Sequence, residues 1–122
     1  MSIVKEAIEK YDGRVIPFTC PSDITVGDVV PLGTEMVGIA VNSGLTGETI
    51  SLEIEKVWTV TAATADAIAI GDVIYWNATA KVMTIQADDG GTPAVNYVVA
   101  GRAMSSKAAG TPGTVDVKIN VL

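Results

Sequence analysis

The 122-residue chain has no histidine and a single cysteine, Cys20. Lack of histidine excludes histidine-based triads, histidine general bases and most transition-metal sites. One cysteine excludes an internal disulfide and any multi-cysteine zinc site, and Cys20, between Phe18-Thr19 and Pro21, reads as a small buried or turn residue. Aromatic residues make up only 5%, so a core must be assembled from Val, Ile, Leu and Ala, a palette that favours strands. Charged residues reach 18%, against roughly 25% in an average soluble domain. So little charge implies either an exterior partly covered by other chains or a compact monomer with a Ser/Thr-rich skin.

Positive charge is scarcer still. Eight basic residues against 14 acidic ones give a net charge of −6, which argues against an electrostatic grip on DNA or anionic lipid. Lys5, Lys10, Arg14, Lys56, Lys81, Arg102, Lys107 and Lys118 form no run and interleave with no aromatic ladder. No lysine follows a glycine, so the G-K-[ST] end of a phosphate-binding loop is missing and an ATPase is excluded on that route. Apolar runs such as Met36 to Val41 are far too short to span a bilayer. The N-terminal MSIVKEAIEKYDG carries acidic residues and no apolar centre. It therefore does not read as a secretory signal, and the expected place of assembly is a reducing cytoplasm.

What remains is a strand pattern. At this length the expectation is one domain built on one core. Residues 1–13 stand apart, being charged and without alternation; Val4, Ile8 and Tyr11 with a Glu6/Lys10 pair make either a short amphipathic helix or a flexible arm, stopped by Asp12-Gly13. From residue 14 to 122 short β-type runs are punctuated by turn residues, predicting an all-β domain. Val15 to Phe18 is pushed toward an edge role by Pro17. Ile24 to Val30 follows a Pro21-Ser22-Asp23 turn, and Met36 to Val41 contains Gly38, which permits a close backbone approach or a bulge. Thr49 to Thr61 is the longest strand signal, with Ile50, Leu52, Ile54, Trp58 and Val60 on one face and Ser51, Glu53, Glu55 and Thr59 on the other. Lys56 on the apolar face and Val57 on the polar one predict a bulge or sheet switch there. Thr61 to Ala69 is Ala-rich and fits a helical turn.

The stretch from Ala67 to Ile85 reads as a hairpin: a Gly71-Asp72 turn, the strand Val73 to Trp76, turn residues Asn77 to Ala80, and a second strand with Val82 and Ile85. After a loop at Ala87 to Pro93, a strand is expected over Asn96 to Met104. The end alternates, with Val115, Val117, Ile119 and Val121 inward and Asp116, Lys118 and Asn120 outward, and is expected to close the sheet. Ile24 to Val30 echoes Ile68 to Ile74, apolar-x-(β-branched)-Gly-Asp-Val-(β-branched), 44 residues apart. Two copies suggest equivalent corners of a small barrel, where Gly27 and Gly71 supply an unusual backbone angle and Asp28 and Asp72 accept from nearby amides.

The acidic residues are the remaining candidates for chemistry. Glu53 and Glu55, i and i+2 on one strand and about 7 Å apart by strand rise, have the spacing of a glycosidase pair or a divalent-ion site, but also that of a solvated strand face. Asp88-Asp89-Gly90-Gly91 lacks the alternating ligands of an EF-hand loop and reads as a turn. Ser106-Lys107 has no preorganising context for a Ser-Lys nucleophile. Asn77-Ala78-Thr79 matches a glycosylation acceptor, a match expected to carry no meaning where no secretory signal is read. Tyr75, Trp58 and Trp76 are able to stack sugars or to fill a core or interface.

Together, IGDVIYWNATAKVMTI, the preceding AATADAIA, the earlier LEIEKVWTV and the closing VAGRAMSSKAAGTPGTVDVKIN resemble the capsid cement, or head decoration, proteins of tailed bacteriophages. The similarity runs from about Arg14 to Asn120 and is most specific over Gly71 to Thr84, through Tyr75 and Trp76, with Asn77 where Asp is the commoner residue. Members of that family have sometimes carried a RecA-like recombinase label, against which the missing phosphate loop and the acidic charge both argue. The resemblance implies a small β-tulip or barrel-like subunit, commonly a homotrimer, that docks on the outside of the expanded shell and reinforces it. The partner is then the major capsid protein, and no cofactor, nucleic acid, membrane or small-molecule substrate is called for. An N-terminal arm carrying Ile3, Val4, Ile8, Tyr11 and Arg14 is the expected capsid-binding element, by adding a strand to an exposed sheet edge. The alternative reading is a carbohydrate- or receptor-binding module on the phage surface, with Trp58 or Trp76 as its platform.

Overall fold

A computed structural model describes residue 7 and residues 12–121. The described residues form nine strands and no helix: β1 (Val15–Thr19), β2 (Val29–Leu32), β3 (Met36–Ala40), β4 (Thr49–Glu53), β5 (Val57–Ala62), β6 (Val73–Asn77), β7 (Val82–Thr84), β8 (Val98–Ala103) and β9 (Gly113–Ile119). The first four make an open antiparallel sheet in the order β1-β4-β3-β2, and the other five close into a barrel, β5-β7-β6-β8-β9. The final strand closes that barrel as its alternation implied, pairing with β8 on one side and with β5 on the other. The hairpin β6–β7 also stands where expected, Trp76 opposite Met83.

The two sheets repeat one plan. β1, β2, β3 and β4 pair among themselves as β5, β6, β8 and β9 do: first with fourth, second with third, third with fourth. The Gly-Asp corners occupy equivalent places and share their geometry. Gly27 has φ +93° and Gly71 φ +94°; their amides donate to the carbonyls of Ala40 and Ala103, both at 2.8 Å. Asp28 Oδ2 accepts from the Thr25 amide and Asp72 Oδ2 from the Ala69 amide, both at 2.9 Å. Each corner is tied to a second turn by an isolated bridge, Ile24 with Gly44 and Ile68 with Lys107.

Three local expectations are corrected. The run Thr49 to Thr61 is two strands, because the chain leaves the open sheet at Glu53 and enters the barrel at Val57, turning at Lys56 with φ +82°. This is the sheet switch that Lys56 signalled, but it places Glu53 inside, at 5% exposure, rather than on a solvated face. In Ile24 to Val30 only Val29 and Val30 belong to a strand; the Gly27 corner interrupts the run, and β2 continues over Pro31 to Leu32. Thr61 and Ala62 finish β5, and the Ala-rich residues after them form an irregular turn instead of a helical one. Buried apolar side chains sort into two clusters where the length suggested one core. One lies within the open sheet around Cys20, Ile50 and Leu52; the other fills the barrel around Ile74, Met83, Val115 and Val117, with Val37 and Ile39 of β3 joining it.

Among the described residues β7 has no counterpart in the open sheet, and β1 and β2 have free edges there. Each is interrupted by a proline whose missing N–H faces outward. Val37 gives both main-chain groups to the Asn120 side chain, so its partner Pro31 forms a non-hydrogen-bonded pair and turns its nitrogen to the open edge. Ser51 likewise bonds the Asn42 side chain and the Val41 amide, leaving Pro17 opposite it facing outward. Proline at such positions discourages edge-to-edge pairing with another sheet.

Candidate docking surface

Between the free edges of β1 and β2 runs a groove of about 530 Å³. Phe18, Val30, Val60 and Trp76 supply apolar wall, while Asp23 and Asp28 come from the corner and Ala78 and Lys81 from the β6–β7 turn. The corners that shape it are stiff: Asp23 Oδ1 accepts from both the amide and the hydroxyl of Thr46, at 2.9 and 3.1 Å. A smaller polar cleft of about 280 Å³ is bordered by Asp66, Asn77, Thr84, Asp88, Asp89 and Tyr97. There the Asp66 carboxylate is buried and accepts from the Thr84 hydroxyl and the Ile85 amide.

The acidic candidates resolve into structural roles. Glu53 and Glu55 do not share a strand face, since β4 ends at Glu53 and Glu55 lies exposed in the turn. The Glu53 carboxylate instead meets Lys56 at 3.2 Å and Arg14 at 3.6 Å, tying the start of β1 to the switch between sheets. Asp88 and Asp89 form turns as expected: Asp88 accepts from Gly90, and Asp89 from Gly91 and Val95. The Val95 amide first, and the Gly91 amide second, hold the Asp89 carboxyl below its ordinary value. Lys107 donates to the carbonyls of Thr64, Asp66 and Ala108, each at 3.0 Å, so its amine clamps a loop and Ser106 gains no base from it. Asn77 closes the β6–β7 turn through the amides of Thr79 and Ala80 and donates to the Tyr97 hydroxyl. Among the described residues no group of three or more His, Cys, Asp or Glu side chains is placed to hold a metal ion.

Of the residues expected to contact a capsid, Ile3, Val4, Ile8 and Tyr11 lie outside the described residues, and Arg14 stands immediately before β1, beside Glu53. Gly27, Asp28, Gly71 and Asp72 form the corners described above. Tyr75 and Trp76 lie on β6, Tyr75 half-buried and Trp76 only 7% exposed within the barrel core. The Trp58 indole N–H is bonded to the Glu55 carbonyl at 2.9 Å. Trp76 packs within the barrel core, and Trp58 is half-buried against the same core.

Two features went unread in the sequence. Asn120, expected to point outward, has φ +61° and sends its side chain inward, accepting from the Val37 amide and donating to the carbonyls of Val37 and Ile54. One residue thereby joins β3 to the chain leaving β4 and to the end of β9. The other is the groove, whose only sequence trace is the paired prolines.

A duplicated all-β chain, with its acidic candidates engaged in turns and ion pairs and with an apolar groove as the larger of the two clefts above, has the build of a structural protein. A family model described as "Phage cement protein" matches residues 10–119. The chain belongs to the phage cement protein family. No curated protein and no solved structure gives a significant match.

Proposed function

We propose that this protein binds the outer surface of the expanded phage shell, with the major capsid protein as its partner, and stabilises the shell against the packaged DNA. The family match over residues 10–119 carries this reading. The fold supports it: a closed barrel and a proline-edged sheet resist both deformation and self-aggregation. Residues 1–13 act as the docking arm, with Ile3, Val4, Ile8 and Tyr11 making contact and Arg14 fixing its root beside Glu53. In a homotrimer three arms engage together, and such linkage raises avidity by roughly 10²–10⁴ without new contacts. The protein is assembled with the shell in the host cytoplasm and remains on the virion exterior.

The test is to add purified protein to DNA-filled shells that lack it and measure the temperature at which DNA is released. Release should move to higher temperature with the full chain and stay unchanged with a variant lacking residues 1–13 that keeps its β-type circular dichroism. No shift with the full chain would contradict the stabilising role, and an equal shift with the truncated one would contradict the arm.

A further inference from the structure

We propose that the groove between β1 and β2 receives an extended segment of the major capsid protein in which an apolar residue follows a basic one, an inference that rests on the docking role above. The second half of the chain shows what this place accepts. β7 lies between β5 and β6, the equivalents of β1 and β2; it contributes Val82-Met83 directly after Lys81, and Met83 is completely buried. Its partner on β5 is Ala62, whose equivalent on β1 is Phe18, a residue of the groove wall.

Charge selects the rest of the occupant. From Arg14 to Glu53 the chain has five acidic residues and one basic one; of the charged residues that border the groove, Asp23 and Asp28 stand on its open-sheet side and Lys81 on its barrel side, so the acidic pair marks the open-sheet side as the place for a basic group. An incoming lysine or arginine is attracted there, and its apolar neighbour is directed toward Val30, Val60 and Trp76. Main-chain pairing adds a foothold without dominating. Val29 pairs with Ile39 in the register that leaves its N–H and C=O toward the opening, and Pro31 offers a carbonyl but no donor. The two prolines block a continuous ladder with the edge of a second copy. A capsid segment chosen by its side chains meets each of these conditions.

The probe is a synthetic peptide with the sequence of residues 79–86, TAKVMTIQ, titrated into the full-length protein and followed by amide and indole NMR shifts. The proposal expects shifts at Val29, Asp28 and the Trp76 indole, and at least tenfold weaker binding by the same peptide with glutamate in place of lysine. Ser22→Arg and Ala78→Arg, at exposed positions lining the groove, should weaken both peptide binding and sedimentation with expanded shells at least tenfold. Peptide shifts confined to other surfaces, or none at millimolar peptide, would overturn it. So would shell binding by both variants at the strength of the unaltered protein. Failure of the unaltered protein itself to sediment with shells would instead overturn the docking role on which the inference rests.

Discussion

Gly101 on β8 lies so close to β9 that a Cβ built on it falls onto the carbonyl oxygen of Lys118, at a φ of +155° that side chains rarely adopt. Gly27 also has a positive φ, +93°, but nothing stands within 4 Å of its missing Cβ. The two sites separate steric from conformational cost. Gly27→Ala should destabilise by about 1–2 kcal/mol, the penalty of left-handed backbone, and Gly101→Ala by roughly 3 kcal/mol or more, since backbone must move. Urea unfolding of both variants checks this; equal losses would contradict the packing around Gly101. Asp89 gives a second test at this scale. Its folded carboxyl titrates below the ordinary 3.8 because the Val95 and Gly91 amides favour the ionised form. That contribution is therefore present above pH 3.8 and disappears as pH falls through the lower folded value. The Gly91 and Val95 amide resonances should move with a midpoint below 3.8, and Asp89→Asn should abolish that step.

Among the elements, the join between sheets depends on Asn120. Its side chain bonds Val37 through both main-chain groups, at 2.9 Å each, and the Ile54 carbonyl at 2.7 Å. Asn120→Ala should cost about 2–4 kcal/mol, from half-buried main-chain groups left unpaired and a strained φ of +61°. Asn120→Gly, free of the backbone strain, should recover only part of that loss; full recovery in chemical denaturation would show that the hydrogen bonds contribute little. Asn120 also shows where sequence reading ends. The β6–β7 hairpin, the edge role of Pro17, the alternating β9 and the Gly-Asp corners were legible because each rests on neighbours a few residues away. Asn120 continues the polar phase of β9, and its partner Val37 is 83 positions distant. Glu53 follows the polar phase of its strand, yet it is buried, with Lys56 three residues on and Arg14, 39 positions earlier, both meeting its carboxylate. The second turns of each half kept the glycine, Gly47 and Gly110, but only the first retains an acid beside it, so local pattern showed two corners where the fold uses four turns.

At the scale of the molecule, the described residues use one strand plan twice, sealed by β7 in the second half and open in the first. The family resemblance was legible in the residues around Tyr75 and Trp76, which the structure places on the sealed barrel. The groove was not, because an unfilled place is visible only beside its filled counterpart. Whether the protein is a cement for the expanded shell is decided by co-sedimentation of the purified protein with shells that lack it, expanded and unexpanded side by side. Saturable binding to expanded shells alone is the predicted result. A folded protein that sediments with neither form, or equally with both, would contradict the account.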